Sequence, residues 1–379
     1  MARHDVPGDS AAAARAGAIL TIDLDAVQAN YRRLCRELGD VACAAVVKAN
    51  AYGLGAARVA PALARGGARI FFTALLDEAI AVRAALRELC PGAEIYVLNG
   101  AAAGPAEDFL AHRIAPVLNT PGEVAAWARA ARAAGRALPA ALHVDTGMTR
   151  LGLDQGEFKA LTDDPSGLEG IELRLLMSHL ACAEETRNPL NEAQLRAFEA
   201  ARARLPEVPG SLANSSGIFL GADYHANLGR PGAALYGVNP TPGRPNPMGQ
   251  VVRLQGRILQ VREIDAPRTV GYGATHRVAG GARIATVALG YADGFPRALS
   301  NRASAWIGKR RVPLIGRVSM DLITLDVTGV SRAEVCPGGL VDLLGAHQDV
   351  DTLAQAAGTI GYEILTALGP RYHRVYRGG

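Results

Sequence analysis

Along the first two thirds of the chain, short apolar runs alternate with longer stretches in which apolar residues recur every three or four positions. The runs at 42–47, 68–74, 94–99, 113–118, 140–145, 173–179, 209–214 and 226–229 carry few or no charges and are bounded by glycine, proline or small polar residues. Short apolar runs of this kind predict strands covered on both faces, as in a parallel sheet. Between them, alanine-rich segments at 55–66, 77–89, 121–135 and 191–204 predict helices. Eight strands alternating with helices fit a TIM-type α/β barrel, and a doubly wound sheet gives the same alternation. An earlier alternating run, Ile19–Asp23, followed by Asp25 as a helix N-cap, places the start of the barrel domain near residue 18 and its end near 240. Residues 1–17, polar or alanine-rich, are expected to be disordered.

Beyond Gly237 the rhythm changes. Pro240, Pro242, Gly243, Pro245 and Pro247 form a breaker-rich linker. After it come β-type runs at 251–254, 258–261, 282–287, 312–316, 322–327 and 340–344, separated by glycines and with no long helix between them. This spacing predicts a separate, mostly antiparallel β domain over 241–379, with short helices near 351–357 and 359–366.

Composition narrows the function. A chain of 379 residues exceeds what one core ordinarily serves, and 49% hydrophobic with 20% charged residues is globular. The net charge of +4 is mild and the basic residues are scattered, Lys309-Arg310-Arg311 being the densest cluster, so no nucleic-acid partner is expected. Five widely spaced cysteines without a CxxC pair point to neither a disulfide scaffold nor a metal site. No apolar run approaches the roughly 18 residues of a membrane helix. The N-terminus lacks a continuous apolar signal core, so no membrane association and a cytoplasmic location are expected.

Candidate chemistry gathers at strand ends, the rim where α/β folds bind ligands. Lys48 closes the apolar run 41–47. A lysine leaving such a strand loses proton affinity and can attack a carbonyl to form a Schiff base, although a lysine snorkelling to solvent fits the same pattern. Tyr52, Gly53 and Gly55 follow in a tight turn able to bring a phenol and backbone N–H groups to an anion. Polar clusters then close the later strands: His143, Asp145 and Arg150 after the fifth, and His179 after the sixth. Asn214 and Ser215 follow the seventh, ahead of a helical stretch suited either to phosphate or to plain capping, and Arg230 with Gly232 follows the eighth.

The decamer Val46-Val47-Lys48-Ala49-Asn50-Ala51-Tyr52-Gly53-Leu54-Gly55 resembles the cofactor-lysine motif of the alanine racemase family. Asp145-Thr146-Gly147-Met148-Thr149-Arg150-Leu151-Gly152 and Arg230-Pro231-Gly232-Ala233-Ala234-Leu235-Tyr236-Gly237 resemble two further family signatures. So do Gly271-Tyr272-Gly273, Gly290-Tyr291-Ala292-Asp293, Ser319-Met320-Asp321 and Gly361-Tyr362-Glu363, and the ordered set runs from about residue 19 to about 375. The resemblance implies pyridoxal 5'-phosphate carried on Lys48 and racemisation of alanine by two bases, Lys48 on the D-face and Tyr272 on the L-face. It also implies a cytoplasmic homodimer in which Tyr272 reaches the partner's site, with D-alanine supplied to peptidoglycan. By the same match Tyr52, Asn214, Ser215, Gly232, Ala233 and Tyr362 help hold the cofactor, and His179 stacks on its ring. Arg150 meets the cofactor's phenolic oxygen and the substrate carboxylate, Met320 lies at the substrate, and Arg230 faces the pyridine nitrogen. One position departs from the family: where many members carry a carbamylated lysine paired with the arginine, this chain has His143. Racemisation of serine or lysine, a non-catalytic cofactor carrier and a decarboxylase are the other readings. A carrier typically ends at the barrel, and a decarboxylase would want a cysteine motif that Cys336 does not supply.

Overall fold

The computed structural model describes residues 11–379, so the expectation of disorder over 1–10 lies outside the described residues. From Ala11 the expectation is corrected. Ala11–Arg15 is helical, and the Arg257 guanidinium donates to the carbonyls of Ala13 at 2.8 Å and Ala16 at 2.9 Å, which holds this stretch in place.

Val27–Gly249 forms one compact unit, and residues 11–26 together with Gln250–Gly378 form the other. The first unit is the predicted barrel. Its strands are Ala42–Cys43 continued by Ala45–Val46, then Ile70–Thr73, Glu94–Val97, Ala115–Leu118, Leu138–His143, Ile171–Met177, Gly210–Ser211 and Leu228–Gly229. Each of the first six pairs in parallel with the next in sequence. The last pairs back onto the first, Gly229 opposite Cys43, and bonds from the Asn227 and Arg230 amides to the Gly210 and Ala213 carbonyls, both 2.9 Å, tie the seventh to the eighth. Closure removes both sheet edges.

The surrounding helices begin where local chemistry dictates. Pro121–Ala134 starts with Thr120 accepting the Glu123 amide, carries proline at its first turn and stops at Gly135 with φ +65°. Gln155–Asp163, not foreseen, opens with a reciprocal capping box between Asp154 and Glu157, a signature present in the sequence. Trp127, Phe109 and Phe198 are buried among the helices, and Phe71 and Phe72 lie in the second strand.

In the second unit the chain runs mostly antiparallel, as expected. The strand Val252–Glu263 pairs with Leu340–Leu344 and, further along, with Arg283–Ala288, which pairs in turn with Leu322–Asp326. Ala18–Asp23, expected at the start of the barrel, belongs here instead: Ile19 lies opposite Gln255 antiparallel and opposite His373 parallel. A small hairpin, Arg268–Val270 with His276–Val278, buries Val270 and Val278 against Ile264, Ala282, Ile284 and Ile315. That cluster anchors the loop bearing Tyr272.

Candidate active site

Lys48 sits at the carboxyl end of the first barrel strand, where the Val46 amide donates to the Pro231 carbonyl at 3.0 Å and the Val47 amide to the Phe72 carbonyl at 2.8 Å. The strand's exit is thus clamped between the second and eighth strands. Burial, and then the Arg150 guanidinium, lower the pKa of the Lys48 amine, against which Glu78 raises it. The amine makes no ion pair among the described residues, so its proton affinity is set by its surroundings and not by a direct partner.

The turn after Lys48 is not made by its glycines alone. Ala49, Asn50, Ala51 and Tyr52 all adopt left-handed φ values of 52 to 54°. Side chains resist this conformation by roughly 1–2 kcal/mol per residue. It persists because the surroundings determine it: the Ala51 amide bonds the Val47 carbonyl at 2.8 Å, the Gly53 amide the Ala49 carbonyl at 2.7 Å, and the Asn50 side chain accepts the Ala56 amide at 2.8 Å. The turn delivers the Tyr52 ring against Tyr236, centroids 4.8 Å apart, and the Tyr236 hydroxyl in turn donates to the Val46 carbonyl at 2.9 Å. A Cβ at Gly232 would collide with the Tyr52 hydroxyl, so this phenol and the backbone of Gly232 share one space.

Arg230 is 4% exposed. Its guanidinium donates to the Ser211 hydroxyl and to the Ser178 carbonyl, the latter at 2.6 Å, and it lies 6.0 Å from the centroid of the Phe72 ring. Burial pushes its pKa down to about 9, still above neutrality, so the side chain remains charged at pH 7. Ser211 is itself fixed by donating to the Leu228 carbonyl at 2.5 Å. The Ser215 hydroxyl accepts the amides of Gly232 at 2.9 Å and Ala234 at 3.2 Å, joining the ends of the seventh and eighth strands, while Asn214 accepts the Gly217 amide at 2.8 Å.

His179 and His143 are neutral at pH 7. Burial, followed by Arg230 and Arg150, brings His179 down to about 3. Burial and Arg230 bring His143 to about 4. Both side-chain amide hydrogens of Asn119 are committed, to the carbonyls of Leu98 at 3.1 Å and Val117 at 2.9 Å, so its oxygen accepts from His143 Nδ1 at 2.8 Å. The neutral ring therefore presents Nε2 as an acceptor. Arg150 is exposed, on a loop whose amides at Gly147, Met148 and Thr149 all donate to Asp145. Asn119, Ser211 and Glu78 were not foreseen, and Tyr236, though part of a quoted signature, was given no role. Nothing local shows what these residues do, since each acts on a group far away in sequence.

Both histidines bind fewer protons in the folded chain than in the unfolded one at acid pH. Stability is therefore full above about 6.5 and falls as pH drops toward 4. Denaturant midpoints measured from pH 7 to 4 should decline, and a His143→Gln variant should show a shallower decline.

In the second unit Tyr272 is 71% exposed and Met320 54%, with Tyr291, Leu322 and Ile360 also exposed. The Tyr291 and Ala292 amides donate to the Ser319 and Met320 carbonyls at 3.0 Å, and a Cβ at Gly271 would lie 3.4 Å from the Arg317 amide, so Tyr272, Tyr291 and Met320 sit on adjoining loops. Tyr362 lies on the short helix Gly361–Thr366.

Residues 22–240 match the alanine racemase N-terminal domain and residues 251–376 the C-terminal domain. The chain belongs to the alanine racemase family. Among curated members of that family, the catabolic alanine racemase of Mesorhizobium japonicum is 53% identical over 378 residues, covering 100% of this chain and 98% of that one. The alanine racemase of Rhodospirillum rubrum is 53% identical over 365 residues, 96% and 97% of the two chains. The crystal structure of alanine racemase from Bartonella henselae with covalently bound pyridoxal phosphate superimposes with a TM-score of 0.89 at 42% identity, covering 96% of this chain and 100% of that one. The alanine racemase of Streptomyces coelicolor gives 0.91 at 33% identity, covering 97% and 99%.

Proposed function

We propose that this chain is a pyridoxal 5'-phosphate-dependent alanine racemase that interconverts L- and D-alanine in the cytoplasm and supplies D-alanine for peptidoglycan. The observation that carries the reading is the placement of Lys48 and Arg230 on one barrel rim: among the described residues the amine, of lowered pKa, has no ion-pair partner, and the buried guanidinium is bonded to the neutral oxygens of Ser211 and Ser178. That rim fits the cofactor. It combines Lys48, Arg150 and Arg230 with small hydroxyl side chains and the backbone of Gly232 and Ala233 at the seventh and eighth strands, the corner where such barrels hold phosphate.

When bound, pyridoxal 5'-phosphate supplies an aldehyde for an amine and a ring that takes up the electron pair left by a departing α-proton. Lys48 would hold it covalently, with Tyr52, Asn214, Ser215, Gly232, Ala233 and Tyr362 around its phosphate, His179 against its ring and Arg150 at its phenolic oxygen. Arg230 would donate to the pyridine nitrogen yet, being charged at neutral pH, hand over no proton. By leaving that nitrogen without a proton, Arg230 would limit side reactions. Arg150 also orients the substrate carboxylate, with Met320 nearby. Lys48 would carry the proton on the D-face of the substrate α-carbon, and Tyr272 would carry it on the L-face.

The exposed patch of Tyr272, Tyr291, Met320 and Leu322 supports a homodimer in which Tyr272 completes the partner's site. Mixing inactive Lys48→Ala and Tyr272→Phe chains tests this. Random pairing leaves about a quarter of the sites intact, so roughly that share of racemase activity should return, whereas a site confined to one chain returns none. Chiral chromatography of alanine, serine and lysine incubated with the enzyme tests the substrate, and racemisation of serine or lysine without alanine would overturn the assignment.

A further inference from the structure

One carboxylate stands at the exit of the Lys48 strand and belongs to no signature noted in the sequence. Glu78, in the first turn of the helix Leu76–Leu86, accepts the Ala49 amide on one oxygen at 2.6 Å. Its other oxygen accepts the amides of Ala74 at 2.9 Å and Leu75 at 3.3 Å. It therefore joins the end of the second barrel strand to the first residue after Lys48, which is also the first residue of the left-handed turn. The three amides occupy both oxygens, and among the described residues no ion pair forms with the Lys48 amine. Its negative charge thus acts on that amine through space while leaving it able to move.

We infer that Glu78 is a positioning residue for Lys48, pinning the strained turn that aims the lysine and placing an unpaired negative charge beside the amine. The inference rests on the assignment of Lys48 under the proposed function. Three features support it independently. Charge-assisted bonds from amides to a carboxylate are about twice as strong as neutral ones, strong enough to help hold a left-handed run of alanine, asparagine and tyrosine. The turn's own bonds, from the Ala51 amide to the Val47 carbonyl and from the Gly53 amide to the Ala49 carbonyl, leave the Ala49 amide to Glu78. Among the groups that act on the Lys48 amine, Arg150 lowers its proton affinity and Glu78 raises it, and the neighbouring His179 is neutral. Glu78 thus acts against burial and Arg150, the two influences that lower the proton affinity of the amine.

The test uses the full chain and Glu78→Gln, which keeps the size of the side chain, removes the charge and turns one acceptor into a donor. Trace acylation of Lys48 across pH, on chain freed of cofactor with hydroxylamine and mapped by peptide mass with exposed Lys309 as internal reference, reports the amine directly, without racemisation. The midpoint for Lys48 should move to lower pH than in the parent, and kcat at saturating cofactor and alanine should fall at least tenfold, as expected for a displaced catalytic group. An unmoved midpoint, or a kcat within twofold of the parent, overturns the proposal. If Glu78→Gln does not fold, Glu78→Asp replaces it: the charge is kept and the arm shortened, so the midpoint stays while kcat drops, and an undiminished kcat overturns the proposal. A parent chain that acylates normally but racemises nothing refutes the assigned function and leaves the Glu78 measurement intact.

Discussion

A Lys48→Ala chain should bind pyridoxal 5'-phosphate weakly, show no absorbance band that borohydride can trap on the protein, and racemise alanine at least about 1,000-fold more slowly than the parent. Two losses combine in this variant. The covalent anchor disappears, and so does the base on the D-face. Added methylamine should restore part of the rate by replacing the missing amine, because the strand exit, held by the Pro231 and Phe72 carbonyls, does not depend on the lysine side chain. Retained racemisation with an intact yellow adduct would mean that another lysine carries the cofactor. Chiral chromatography and absorbance after borohydride treatment read both outcomes.

The second large effect is at Tyr272. Because L- and D-alanine are equal in energy, any variant must lose the same factor of kcat/KM in both directions, so a one-sided loss of racemisation is thermodynamically impossible. Asymmetry should appear in hydrogen exchange instead. Tyr272→Phe should lower racemisation by about 100- to 10,000-fold, the usual contribution of one general base. In deuterated water this variant should still exchange the α-hydrogen of D-alanine, which Lys48 removes and returns on its own face, and should not exchange that of L-alanine. Equal exchange of both enantiomers would remove Tyr272 from the mechanism.

Much of the barrel was legible because parallel strands covered on both faces appear as short apolar runs, and all eight predicted runs overlap a strand. The candidate site was legible for a related reason. Lys48, His179 and Arg230 stand at the ends of apolar runs, where a polar side chain has few places to go except the strand's carboxyl rim, and Arg150 lies on the loop that leaves the fifth strand. The glycines after Tyr52 correctly announced a turn, yet the strained part of it falls on Ala49 to Tyr52, residues with no local preference for that conformation apart from Asn50.

Hydrophobic periodicity and the order of polar residues along the chain were enough to set the fold class, the rim and most of the residues on it, because these depend on interactions within a few positions. Ile19–Asp23 could be read as a strand, but not its sheet, since its partners near Gln255 and His373 are more than 200 residues away. Likewise no local pattern could show that Glu78 holds the amide of Ala49 or that Asn119 dictates which nitrogen of His143 bears hydrogen. Hydrogen bonds between distant segments form only once packing brings their ends within about 3 Å, and that meeting is decided by the folded chain as a whole.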